Sequence, residues 1–149
     1  MKAFKRYWNW GRFVKALLSI KPEFAEKIFS GEKGFEFRKA IFSREVSCIV
    51  LYVTAPVGKI VGEFKVLNIL EDTPASLWEK TCDHAGVSKQ FFFSYFKGRQ
   101  KAFAIEIGSP RKYTCAIDPY AQGRKFFPPQ SFRYLPEDTP HLVQETLQP

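Results

Sequence analysis

The sequence predicts an α+β domain: a largely antiparallel, curled sheet with one early helix and a helical pair inserted midway. Three observations carry this. Apolar segments with period-2 alternation, or with continuous apolar character, recur between turn residues along most of the chain. Three short segments instead have helical start and stop residues, with a proline in the first turn of two of them and glycines just past the end of all three. The order strand, helix, strands, helical pair, strands fits a sheet with helices set to one side rather than a βαβ alternation. At 149 residues the chain is long enough for one hydrophobic core and short of the usual length for two.

Taken in order, "KALLSI" from Lys15 is a short apolar strand, and "KPEFAEKIFSG" is a helix with Pro22 in its first turn and Gly31 after its end. Phe24, Ala25, Ile28 and Phe29 share one helical face, and Glu23 and Lys27 can pair one turn apart on the other. In "GFEFRKAIF" alternation sends Phe35 and Phe37 to one side and Glu36 and Arg38 to the other, which reads as a strand with one buried face. "SCIVLYVT" is apolar on both faces and reads as a central strand, turning at "APVG" into "KIVGEFKVLNIL". Helices follow at "TPASLWEKTCDHAG", capped by Thr73 and Gly86, and at "SKQFFFSYFKG", capped by Ser88 and Gly98. Trp78, Phe92 and Phe96 are assigned to the core. "KAFAIEI" and "KYTCAI" are read as two separate strands, and "PPQSFRYL" as a final extended piece.

The net charge of +8 is uneven: residues 1–50 hold 11 Lys/Arg against 5 Asp/Glu, which points to an anionic partner, nucleic acid before others. Residues 1–14 form a basic, aromatic arm whose rings can stack bases or pack on the domain, and residues 136–149 a loosely held polar tail that includes His141. Cys48, Cys82 and Cys115 lie too far apart for a zinc knuckle or redox motif, and the sequence offers no acidic metal cluster, so no metal or cofactor is expected. The N-terminus has neither a signal peptide nor a membrane-spanning run, so the chain is read as cytoplasmic and not membrane-bound.

The segments "LLSIKPEFAEKIFSGEKGFEFRK", "VLYVTAPVGKIVGEFKV", "HAGVSKQFFFSYFKGRQKAFAIEI" and "PPQSFRYL" resemble an ASCH domain, of the PUA-like superfamily, over residues 15–135. The resemblance implies a small pseudo-β-barrel with a cleft beside the first helix, walled in part by the "GEKGFEFRK" turn. Family members are proposed to bind RNA, some as transcription coregulators; some relatives hydrolyse acetylated cytidine and others cut RNA. The predicted bacterial and phage regulators of the family can add a helix-turn-helix, for which nothing after Tyr134 is long enough. The resemblance implies that the amidohydrolase branch uses a lysine, a threonine three residues later, and a glutamate from the mid-chain helical region. Lys33 matches that lysine and Arg38 the arginine that follows, but Glu36 stands in the threonine's place, and the helical glutamate falls near Asp83, His84 and Ala85 without a counterpart.

On this reading Lys33, Arg38 and the adjacent Lys39 hold phosphate while Glu36 reads a base amino group; Lys21, Thr54, Tyr95 and Ser131 border the cleft. The competing view of Glu36 and Arg38 is an exposed ion pair worth about 0–1 kcal/mol. The leading functional expectation is an RNA-binding module for a single-stranded or splayed nucleotide, with single-stranded or modified DNA as a variant. A metal-independent hydrolase, either a ribonuclease or a modified-nucleoside amidohydrolase, would use Lys33 and Glu36, with His84 assisting. A coregulator domain binding an acidic protein is the third expectation.

Overall fold

A computed structural model describes residues 14–135, so the expected arm, apart from Val14, and the tail lie outside the described residues. Six strands form one sheet: β1 (Val14–Ile20), β2 (Phe35–Arg38), β3 (Val46–Val53), β4 (Lys59–Asp72), β5 (Ala102–Ile117) and β6 (Phe132–Leu135), in the order β2-β5-β4-β3-β1-β6. Only β1 and β3 run parallel; all other neighbours are antiparallel. The helices are α1 (Pro22–Ser30), α2 (Pro74–Thr81), which runs on into a 3₁₀ turn at Cys82–His84, and α3 (Lys89–Tyr95).

β3 is central because both of its faces are apolar. Ile49, Leu51 and Val53 pack inward with Leu18, Ile28 and Phe64, while Val50 and Tyr52 pack on the opposite face with Leu17, Ile60 and Tyr113. A third cluster lies under the helical pair, where Phe92 and Phe96 meet Phe37 edge-on. The four-residue spacing of Phe92 and Phe96 places both rings on the buried face of α3. Thr73 and Ser88 cap α2 and α3 by accepting from Ser76 N–H and Phe91 N–H.

Two expectations need correction. "KAFAIEI" and "KYTCAI" are not two strands but one, β5, because Ser109 and Pro110 bulge out between the Lys65–Gly108 and Glu63–Arg111 pairs, Ser109 taking φ 45°. The proline therefore costs no ladder bond. Lys27 does not pair with Glu23: its ammonium donates to the Gly86 carbonyl at 3.1 Å. The expected pseudo-β-barrel is present as a curled sheet that its ladder leaves open. β2 and β6 are the two free edges, and the seam between them is spanned by a side chain, since Arg38 Nη2 on β2 donates to the Ser19 carbonyl of β1 at 3.0 Å and Nη1 approaches Ser131 Oγ, beside β6, at 3.5 Å.

Candidate functional site

The site grows out of the turn that follows α1. Gly31 closes the helix in the left-handed region at φ 87°, which glycine adopts without strain. The turn is then clamped by the loop after α2. Gly34 N–H donates to the His84 carbonyl at 2.8 Å, and Lys33 Nζ to the Ala85 carbonyl at 3.1 Å. Gly86, at φ 67°, lies against the Lys33 stem, where a Cβ would come within 2.5 Å of Lys33 Cβ. Two backbone segments far apart in sequence thus fix one lysine.

Lys33 is 3% exposed and Glu36 6%, and their side chains approach to 3.7 Å. Glu36 Oε1 accepts from Arg38 Nη2 at 3.1 Å. The Lys33 ammonium also faces the rings of Phe37 and Phe24, at 4.8 and 5.5 Å from their centres. Burial pushes its pKa below the ordinary 10.5, Arg38 and Lys27 push the same way, and Glu36 opposes them. The competing view of an exposed ion pair is therefore wrong, and so is the placing of this face away from the core. β2 is so short and so close to the seam that the side opposite Phe37 faces the inside of the curled sheet, not solvent.

These three charged groups line a cavity of about 190 Å³, with Ile20, Phe24, Phe37, Val87, Phe91 and Tyr95 as its apolar and aromatic wall and Ser19 and Lys21 also along it. Glu36 Oε2 and Arg38 Nε are buried without a hydrogen-bond partner. An orphaned acceptor beside an orphaned donor is costly unless something polar meets them. The cavity thus joins an aromatic and apolar wall to a buried charged group.

Of the residues singled out from sequence, Lys21, Lys33, Glu36, Arg38 and Tyr95 are brought together here. Lys39 sits with its ammonium 4.7 Å from the centre of the Tyr95 ring, and Ser131 lies at the seam beside Arg38. Thr54 and His84 do not line the cavity. Thr54 donates its N–H to the Ile20 carbonyl, and His84 contributes its carbonyl to the turn while its side chain is exposed. Sequence reasoning missed Ser19, Phe24, Val87 and Phe91 as wall residues. Phe24 and Phe91 carried a faint signal as rings on the outer edge of their helices' apolar faces, and they meet edge-on at 5.3 Å.

The ASCH domain family model matches residues 18–111. The chain belongs to the ASCH family. An "ASCH domain-containing ribonuclease" of Zymomonas mobilis subsp. mobilis is 34% identical over 138 residues, covering 90% of this chain and 93% of that protein. The crystal structure of ASCH from Zymomonas mobilis superposes with a TM-score of 0.76 at 31% identity, over 83% of this chain and 88% of that one. A large ribosomal subunit protein uL22 of Ureaplasma parvum is 29% identical over 120 residues, which is 80% of this chain and 38% of that protein. The α+β architecture predicted from sequence is thus shared by a solved ASCH domain. Among the described residues no helix is long and apolar enough to cross a membrane, and no group of three or more His, Cys, Asp or Glu side chains could hold a metal ion.

Proposed function

We propose that this ASCH domain binds single-stranded RNA, takes one unstacked nucleotide into the β2 cavity and cleaves the adjoining phosphodiester without a metal. The observation that carries the reading is the Lys33–Glu36–Arg38 group, buried yet lining an aromatic-walled cavity. The rings suit a base, whose stacking on aromatics is worth about 1–3 kcal/mol. The charged group suits transphosphorylation. Glu36 accepts the proton of the ribose 2′-OH as that oxygen attacks phosphorus, Arg38 steadies the charge on the phosphoryl oxygens, and Lys33 gives its proton to the departing 5′-oxygen. A lysine whose pKa is pushed down by burial is a better proton donor near neutrality than an ordinary one. The name of the Zymomonas relative, a ribonuclease, supports the same class of substrate.

A second reading, recognition of a nucleotide without cleavage, is favoured by the engagement of Arg38, whose Nη2 is already committed to Ser19 and Glu36. The amidohydrolase reading gains no support from the surroundings of Lys33 Nζ, whose partners among the described residues are a carbonyl, a carboxylate and two rings rather than a hydroxyl. One experiment separates the two RNA readings. Single-stranded RNA and the same strand with 2′-fluoro sugars are incubated with the full chain in excess chelator. Cleavage is expected only of the natural strand, with 2′,3′-cyclic phosphate ends that vanish in Lys33→Met. Saturable binding of both strands with no product assigns recognition alone, and failure to bind either removes the RNA assignment.

A further inference from the structure

The segment between β5 and β6 has no part in the cavity floor, yet it is built around an exposed ring. Phe127 is 74% exposed, and it follows Arg124 and Lys125, both exposed, in a segment, 118–131, whose one carboxylate, Asp118, sits at its start and accepts from Tyr120 N–H. A lone exposed Phe needs no explanation. The backbone that carries this one is anchored. Phe126 packs against Tyr52 and Tyr120 at 5.1 and 5.4 Å, and the guanidinium of Arg133 covers its ring at 5.0 Å. The same Arg133 donates to the Phe127 carbonyl at 2.9 Å. Beyond Phe127, two prolines restrict the chain, and the Pro129 carbonyl accepts from Ser19 Oγ at 2.6 Å. Phe127 is thus presented outward by a backbone whose carbonyls and neighbouring ring are already engaged.

Its place along the chain matters as much as its exposure. Ser19 lines the cavity. Two residues of extended chain span at most about 7 Å, so Phe127 stands that close, backbone to backbone, to a residue bonded to the cavity wall. We propose that this loop is a second nucleotide subsite: Phe127 stacks the base next to the one in the cavity, and Arg124 and Lys125 neutralise the phosphates of the strand leaving it. The ligand is single-stranded nucleic acid because a flat exposed ring next to two exposed cations matches successive bases on a polyanion. The inference rests on the RNA reading of the cavity.

The test measures binding of the full chain, by calorimetry, to a nucleoside 5′-monophosphate and to a 2′-fluoro RNA hexamer, which cannot cyclise. The hexamer is expected to bind the parent more tightly. Phe127→Ala should weaken the hexamer about 5- to 150-fold, the span of a base–aromatic stack, and leave the mononucleotide unchanged. Phe127→Trp should restore it. The pair Arg124→Gln and Lys125→Gln should reduce the log–log salt slope for the hexamer by about 1.4, at about 0.7 per phosphate contact on a single strand. A mononucleotide that binds the parent, with hexamer affinity indifferent to Phe127→Ala, leaves the cavity reading standing and overturns the subsite. The subsite is equally overturned if Phe127→Ala dissolves a dimer in sedimentation while leaving hexamer affinity alone, for the ring then serves a contact between copies. No binding of either ligand by the parent removes both readings.

Discussion

Replacing Glu36 by Gln removes the only carboxylate from a buried group that contains two cations. Glutamine keeps the size and one oxygen, which can still accept from Arg38 Nη2, now 3.1 Å from Glu36 Oε1. It cannot neutralise Lys33, which is 3.7 Å away and 3% exposed. Breaking a buried ion pair by removing one partner typically costs about 3–5 kcal/mol. Against a typical domain stability of about 5–15 kcal/mol that is a large fraction. With about 2–4 °C of melting temperature per kcal/mol in a chain of this size, the melt should fall by about 6–20 °C at pH 7. The deficit should also depend on pH, with a definite sign. Glu36 holds the Lys33 pKa up, so its loss lowers that pKa further below the ordinary 10.5. Over the widened interval the unfolded chain binds the proton and the folded chain does not, so stability rises with pH and the deficit narrows as pH approaches 10.5. Scanning calorimetry of parent and variant from pH 7 to 10.5 measures both effects. The double variant Glu36→Gln/Lys33→Met should recover most of the loss, because the unpaired buried ammonium is then gone. A fall of less than about 3 °C at pH 7, roughly 1 kcal/mol, would refute the reasoning and mean that water screens the group as at a surface.

Gly86→Ala puts a Cβ in the left-handed region, at about 1–2 kcal/mol, and within 2.5 Å of Lys33 Cβ, so it should lower both the melt and mononucleotide binding. Gly62→Ala, whose Cβ would meet the Arg111 carbonyl at 2.4 Å and the Phe29 ring at 2.6 Å, should lower the melt alone, as it lies away from the cavity. At pH 8 a thiol reagent should label Cys82 and Cys115 quickly and Cys48 only on unfolding, since burial, aided by a 2.9 Å hydrogen bond to Glu63, pushes the Cys48 thiol up to about 12. Burial raises Glu63, but Cys48, Tyr113 and Arg111 together hold it below its ordinary 4.5, so its contribution is present above that value and lost as pH falls through the folded pKa. Tyr113→Phe deletes one of those donors, at 3.0 Å; in an acid titration followed by circular dichroism it should move unfolding to higher pH and cost about 1.5 kcal/mol.

By itself the sequence determined the elements, because each is encoded locally. Pro22 and Gly31 bound α1, Thr73 and Ser88 cap α2 and α3, and the two apolar faces of β3 require a central position. It also placed Lys33, Glu36 and Arg38 in one short stretch, and the resemblance read from that stretch named the family that the comparisons support. What it could not determine was the environment of those side chains. Alternation says that Glu36 lies opposite Phe37, but not that both sides of β2 are interior. That depends on the sheet's curling until its free edges, β2 and β6, meet across Arg38. The bulge at Ser109 and Pro110, the clamp of residues 84–86 on the Lys33 turn, and the approach of Pro129 to Ser19 are likewise contacts between positions distant in sequence. Periodicity records only which residues share a face. Whether that face meets water, a cavity or another segment is decided by how the whole chain closes on itself, and here that closure places Lys33, Glu36 and Arg38 in a buried group on a cavity wall.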